Sequence, residues 1–570
     1  MATFQSASAQ LTPFERSSTK NETATYSEII SFYTTLDQKY DQMKMFTCGL
    51  TDIGKPLHLV VLSKDKVFDP TIIRKQNKRI LLINNGIHPG EPEGIDASMM
   101  LARDLLEKNK LPNDVVICII TVYNIDGCLN RGVSRVNQNG PESYGFRGNA
   151  KNLDLNRDFI KTDSKNSYSF QEIFNQWQPE IFIDNHTSNG ADYQYVMTLI
   201  EAQRDKLNPV LSKFMTTVFE PELYSQMKLS GFEMTPYVEH EDETPDSGIT
   251  AFLETPRFST GYAALHNTIG FMPETHMLKS FEKRVYSTYE LMKHAINITQ
   301  KQAKELSKIK AQADAEVKDQ RSFALQWKLD KSKFDTILFK GFEAKHKASE
   351  ISGLNRLHYD RNSPFEKNIR LYNSYRPSVL VEKPIAYIIP QAWQKVIDLL
   401  KVNGVEMKRL TADTKLETEV YYITDYKSTQ KPYEGHYFHR DIKLDSVKQT
   451  INFYEGDYVV YVNQTKNRYI VETLEPQGVD SFFAWNFFDS VLGQKEGFSA
   501  YVFEDEAAGL LKQNPELRKK LEDEKLIKPD LAKSAAAQLD WVYKNSPYYE
   551  KSYLRYPVAR LLSNTKLNLK

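Results

Sequence analysis

The sequence predicts an α/β protein with a mixed, largely parallel sheet covered by helices, followed by a C-terminal α+β accessory domain. Three observations carry this. Strand candidates recur through the first half of the chain, helix-spaced stretches fall between several of them, and the texture changes beyond about residue 375. Strands alternating with helices build open sheets covered on both faces.

The elements follow in order. Residues 1–24 are rich in Ser and Thr and read as a loose segment. From Tyr26, the spacing of Ile29, Ile30, Tyr33 and Leu36 predicts a helix. Strands are expected at 57–63, 79–85, 115–123, 180–186, 193–199, 248–255 and 269–275, with helices at 95–108, 168–177 and 205–222. The stretch 278–310 reads as a closing helix that runs into "KQAKELSKIKAQADAEVKDQ", a solvated helix or linker by its charge. The domains expected are therefore 25–305, a charged helical linker at 306–375, and an accessory domain at 376–570. That last part reads as strand, helix, strand. Short β-like runs follow ("EVYYITDY", "GHYFHRDIKL", "QTINFYEGDYVVYVN", "RYIVETL"), and then a charged helical end.

Composition excludes several classes. At 570 residues, with 41% apolar and 12% aromatic content, the chain is globular and too long for one ordinary core. Lys+Arg and Asp+Glu balance at 74 each, so nothing draws the whole molecule toward nucleic acid or anionic lipid. Three cysteines, Cys48, Cys118 and Cys128, make neither a disulfide framework nor a thiolate zinc site. No run of about 18 apolar residues exists to span a membrane. The N-terminus as written has no apolar signal-peptide core.

The chemistry concentrates at strand ends. "RILLINN" leads into "GIHPGEPEG", where His88 and Glu91 stand three residues apart. The carboxyl ends of strands are where sites form in open α/β sheets. His-x-x-Glu alone is compatible with a polar turn as well as with two metal ligands. A second strand, "EIFIDNH", ends in His186. A His, Glu, His set leaves the fourth tetrahedral position of zinc to water. Asp184 and Asn185 are candidates to orient His186. Between these, "GFRGNAKNLDLNRDF" supplies Arg147, Asn156 and Arg157, and guanidinium forks bind carboxylates and polarise carbonyls.

With these residues in hand, a family resemblance emerges. "HPGE", "YNIDG", "RGNAKNLDLNRDF", "DNHTSNG" and "GFMPETH" occur in the order seen in zinc carboxypeptidases of the M14 type, over roughly residues 25 to 300. The whole chain resembles large bacterial members with a C-terminal extension. The resemblance implies one zinc ion per chain, held by His88, Glu91 and His186. It also implies that Glu274 is the general base and acid. Asn156 and Arg157 match the clamp for a substrate's terminal carboxylate. Arg147 matches the carbonyl-polarising arginine in the compact form of that motif, with Arg135 in "SRVNQNG" as its rival. Glu254 is the competitor of Glu274, and Tyr262 is the counterpart considered for the family's mobile tyrosine. His266 and His276 lie near these motifs and read as structural. The implied activity is hydrolysis of C-terminal peptide bonds in a peptide or protein with a free C-terminus, by a periplasmic or secreted enzyme. The alternative is a zinc amidase, deacylase or cell-wall peptide hydrolase using the same site.

Overall fold

The computed structural model describes residues 10–570. Nine strands build the central sheet: β1 (Met43–Leu50), β2 (Pro56–Leu62), β3 (Arg79–Asn84), β4 (Val115–Ile120), β5 (Ile181–Asp184), β6 (His186–Ser188), β7 (Met197–Glu201), β8 (Met234–Pro236) and the strand Ile269–His276. Their order is β1-β2-β4-β3-β5, then Ile269–His276, then β7-β8, with β6 pairing onto Ile269–His276. The centre is parallel: β3 pairs this way with β4 and β5, and Ile269–His276 with β5 and β6. Antiparallel pairs lie toward the edges, at β1–β2, β2–β4 and β7 with Ile269–His276.

Period-two side-chain direction explains the apolar runs. In β2, Leu57, Leu59 and Val61 enter one core, while Val60 and Leu62 enter the other. In β4, Val116, Cys118 and Ile120 face one side, and Val115, Ile117 and Ile119 the opposite side. One core is closed by the helices Tyr26–Lys39, Glu93–Glu107, Phe281–Lys301 and Ala303–Asp319, through residues such as Ile29, Met99, Leu291 and Leu306.

The second core joins the two halves of the chain. It begins with Phe170, Phe174 and Trp177 of the helix Lys165–Trp177 and continues without a break into Tyr387, Ile397, Tyr469, Trp485 and Tyr556. The region after 376 has a sheet and a small core of its own, through Ile388, Leu416 and Val459, and packs against the first part through this shared core. It supplies the second cover that a sheet apolar on both faces requires. Its own six-stranded sheet runs in the order Lys408–Arg409, Tyr458–Tyr461, Ala386–Ile389, Ala559–Leu561, Thr414–Ser428, His439–Phe453.

Other expectations change in detail. The segment 306–375 is no helical linker: after the helix Ala303–Asp319 come the strands Ser322–Leu329, Asp335–Ala348 and Asn355–Tyr372. The charged helix is amphipathic, with Leu306, Ile309, Ala313 and Val317 buried. "RYIVETL" lies in the helix Asn467–Leu474, because a short apolar run does not by itself separate helix from strand. The predicted strand 248–255 shrinks to Ile249–Thr250. Of the segment expected to be loose, residues 1–9 lie outside the described residues. The remainder forms a capped turn at Pro13–Arg16 that buries Phe14. Among the described residues, no helix is long and apolar enough to cross a membrane.

Candidate metal centre and cleft

His88 and Glu91 sit in the loop between β3 and the helix Glu93–Glu107, and His186 opens β6. Two glycines, one in the loop and one in the first turn of the helix, make this arrangement possible. Gly86 has φ +62°, a left-handed conformation that side chains disfavour. Gly94 lies where a Cβ would meet Asn185 Cβ at 2.5 Å and Asn85 Oδ1 at 2.6 Å.

The three residues are buried, and one donor atom from each falls within 4.8 Å of the others. Both imidazoles turn Nδ1 inward, with His88 Nδ1 at 3.3 Å and His186 Nδ1 at 3.2 Å from Glu91 Oε2. Their Nε2 atoms are held from behind. His88 Nε2 lies 2.9 Å from Asp154 Oδ1, and His186 Nε2 lies 2.9 Å from Asp184 Oδ2. Carboxylates in that position fix the orientation of metal-binding histidines. Asp184 is itself anchored by Asn84 Nδ2 at 2.8 Å. Asn185, the other orienting candidate, turns away and donates to Asn85 Oδ1 at 2.8 Å. His88 Nδ1 is buried without a hydrogen-bond partner, which suits an atom reserved for a cation. Two imidazoles and a carboxylate are zinc donors, so the residues fit the metal.

Glu91 is heavily supported. Oε2 also accepts from Thr187 N at 2.9 Å, and Oε1 faces Arg135 and, at 3.4 Å, Arg147. Burial would raise its pKa, but Arg135 and then the histidines outweigh that and hold it well below the usual carboxylate range. Glu93 is the first residue of the helix Glu93–Glu107. It is buried, ion-paired to the buried Arg284 at 2.5 Å, and accepts from Thr187 Oγ1 at 2.7 Å.

A cavity of about 490 Å³ opens over this centre. Its walls bring together His88, Glu91, His186, Glu274, Arg135, Arg147, Asn156 and Arg157. Glu274 stands on the strand Ile269–His276, in register with His186. Burial pushes its carboxyl up to about 8; His186 pulls against that rise and Glu91 adds to it. Glu254 is elsewhere, buried and accepting from Gln203 N at 2.7 Å. Both candidate arginines reach the centre. Arg135 also donates to Thr187 O at 3.1 Å, whereas Arg147 grips Asp154 Oδ2 through Nε at 3.0 Å and Nη2 at 2.8 Å. Residues Leu155–Arg157 form a 3-10 turn capped by Asp154. Asn156 Oδ1 accepts from Ser259 N at 3.1 Å, and the Arg157 guanidinium lies 4.4 Å from the Phe258 ring centre.

Tyr262 does not belong to the cleft. It lies on the helix Ser259–Leu265, fully buried, with its hydroxyl donating to Asn403 at 2.6 Å and accepting from Asn175 at 3.0 Å. Helical spacing carries it into the second core instead. Tyr262→Phe is accordingly expected to cost about 1–3 kcal/mol in denaturant unfolding, by stranding those amides, with kcat/KM unchanged. A tenfold activity loss at unchanged stability would contradict that placement. The tyrosine that lines the cavity is Tyr237, beside Phe252 and Phe258. His266 packs against Tyr469, and His276 Nε2 lies 2.7 Å from Ala191 O, so neither is a ligand.

Comparison with known proteins places the chain in a family. The zinc carboxypeptidase profile, peptidase family M14, matches residues 29–326, more than half of the chain. Carboxypeptidase 2 of Trichophyton rubrum is 21% identical over 418 residues, covering 70% of this chain and 72% of the relative. Carboxypeptidase 2 of Trichophyton equinum is 21% identical over 447 residues, covering 75% and 76%. A solved metallo-carboxypeptidase from Burkholderia cenocepacia superposes with a TM-score of 0.36 at 14% identity, over 49% of this chain and 69% of that one. The chain belongs to the zinc carboxypeptidase family.

Proposed function

We propose that this protein removes C-terminal residues from peptides, using one zinc ion held by His88, Glu91 and His186. The observation that carries the reading is the shared cavity. The ligand set, a buried carboxylate at Glu274, and the cationic groups Arg147 and Arg157 all line it. Zinc, when bound, lowers the pKa of a coordinated water and polarises a carbonyl. Glu274 takes the proton of the attacking water and passes it to the leaving amine. Arg147 donates to the oxygen that gains charge as the carbonyl carbon becomes tetrahedral. Asn156 and Arg157 hold the terminal carboxylate, which makes cleavage start at the chain end. Ile200, Met272, Phe252, Phe258 and Tyr237 supply the apolar part of the wall.

Comparing a peptide with its C-terminal amide tests this. Losing charge-assisted hydrogen bonds worth about 1.5–3 kcal/mol each is expected to lower kcat/KM by about 10²-fold for the amide, and mass spectrometry should show single-residue shortening. Equal turnover of the two would place the protein with the amidases instead.

A further inference from the structure

The hairpin between the strands Thr414–Ser428 and His439–Phe453 ends in a tight turn. Tyr433 N donates to His436 O at 2.8 Å and His436 N to Tyr433 O at 3.0 Å, leaving Glu434 and Gly435 at the tip. Both have positive φ, +49° and +84°. Two-residue turns with this twist favour Asn-Gly or Gly-Gly. A glutamate in the left-handed region is held there by its surroundings, and such residues cluster at functional sites.

The surroundings are specific. Glu434 Oε2 accepts from the main-chain N–H of Asp154 at 2.8 Å. Asp154 in turn sends Oδ1 to His88 Nε2, Oδ2 to Arg147, and caps the turn that carries Asn156 and Arg157. One peptide group thus sets the position of a metal-ligand orienter, the carbonyl-polarising arginine and the carboxylate clamp. The tip is fastened on both sides of Glu434. His436 Nε2 lies 2.6 Å from Asp163 Oδ2, and its Nδ1 lies 2.5 Å from Asn486 Oδ1. The Tyr433 ring stacks on Trp485 at 6.0 Å with a 17° interplanar angle. Arg257 is enclosed by Tyr433, Phe438 and Trp485, with ring centres at 5.5, 4.5 and 5.0 Å, and pairs with Asp480 at 2.7 Å. Its neighbour Phe258 is the ring that carries Arg157. The same hairpin therefore braces both sides of the clamp.

We propose that Glu434, brought against the Asp154 main chain by the C-terminal region, is a positioning residue of the catalytic site. It fixes the Asp154 peptide and through it His88 and Arg147. The proposal rests on reading His88, Glu91 and His186 as the zinc ligands. It gives the C-terminal region a part in the reaction beyond covering the sheet.

Glu434→Gly in the full-length protein is the sharpest test. Glycine is at ease at φ +49°, so the turn is kept and only the acceptor is lost. The melting temperature is expected to hold or rise. Zinc affinity, measured by competition with a chromophoric chelator, is expected to fall about tenfold. kcat should drop with it, and KM should rise as the turn that carries Asn156 and Arg157 loses its anchor. Glu434→Gln retains an oxygen that accepts from Asp154 N and should recover most of both losses. Zinc affinity and kcat within twofold of wild type in Glu434→Gly would overturn the proposal. So would equal losses in the glycine and glutamine variants, or a lower melting temperature with zinc affinity intact, which would leave the tip only a structural contact. If the wild-type protein binds zinc yet cleaves no peptide, the proposed activity fails, while the zinc comparison still decides the role of Glu434.

Discussion

Glu274→Gln is expected to lower kcat/KM by about 10²–10⁴-fold, the usual range for losing a positioned general base, with zinc still bound at one per chain. The amide keeps the shape of the side chain and takes away its capacity to accept a proton. The Glu274 carboxyl sits among groups that act on its proton affinity in both directions. It is buried, its proton affinity is raised by burial, and His186, Arg135 and Arg147 work against that rise. Glu274 contributes no donor to the His88, Glu91, His186 group, so metal content should be indifferent to the change. Glu254→Gln is the matched control. Its carboxylate accepts from Gln203 N in a buried loop, so its replacement should cost stability and spare the chemistry. Wild-type turnover by zinc-loaded Glu274→Gln would remove the proposed role.

How far this site could be read in advance depended on where each residue's partners lie. His88 and His186 stood out because each follows an apolar strand, and parallel pairing of β3 with β5 brings the two strand ends side by side. Asp154 was passed over. Between Leu153 and Leu155 it reads as the solvated half of an alternating pattern, although the segment folds as a turn. The Asp-x-Asn-Arg cap spacing was the only local signal, and it does not reveal that the carboxylate faces His88. Tyr262 was considered only as a counterpart of the family's mobile tyrosine. A helix turns it toward Asn175 and Asn403, into the second core. Tyr237 and Phe252 come from segments too short and irregular to carry any periodicity.

The region after residue 320 was least legible. Asn355–Tyr372 is rich in charge, so it reads as a linker, yet its last part alternates, with Ile369 and Leu371 buried on either side of the exposed Arg370. Nothing in a single sequence announces that Tyr387, Tyr469 and Trp485 share a core with Phe170 and Phe182. Long-range contacts of that kind arise because the sheet has a second apolar face, and the segment that covers it need not be adjacent in the chain.

Chelation of the metal is expected to abolish turnover, and stoichiometric zinc to restore it, without unfolding in between. The reason lies in how the ligands are held. Asp154 fixes His88, Asp184 fixes His186, and Thr187 N holds Glu91, all through contacts within the protein. Arg135 faces the carboxylate of Glu91 as well, so the buried charge has partners whether or not a cation is present. A site of this kind is preorganised, in contrast to small metal domains that unfold when stripped. Circular dichroism of the metal-free protein should therefore match that of the loaded form. Zinc at a hundred times its dissociation constant should add about 2.7 kcal/mol to stability, by binding the folded state alone. Full activity after exhaustive chelation would refute the zinc assignment. Irreversible loss of structure on chelation would refute the preorganised cage, because the metal would then be holding the ligand loops in place of Asp154, Asp184 and Thr187.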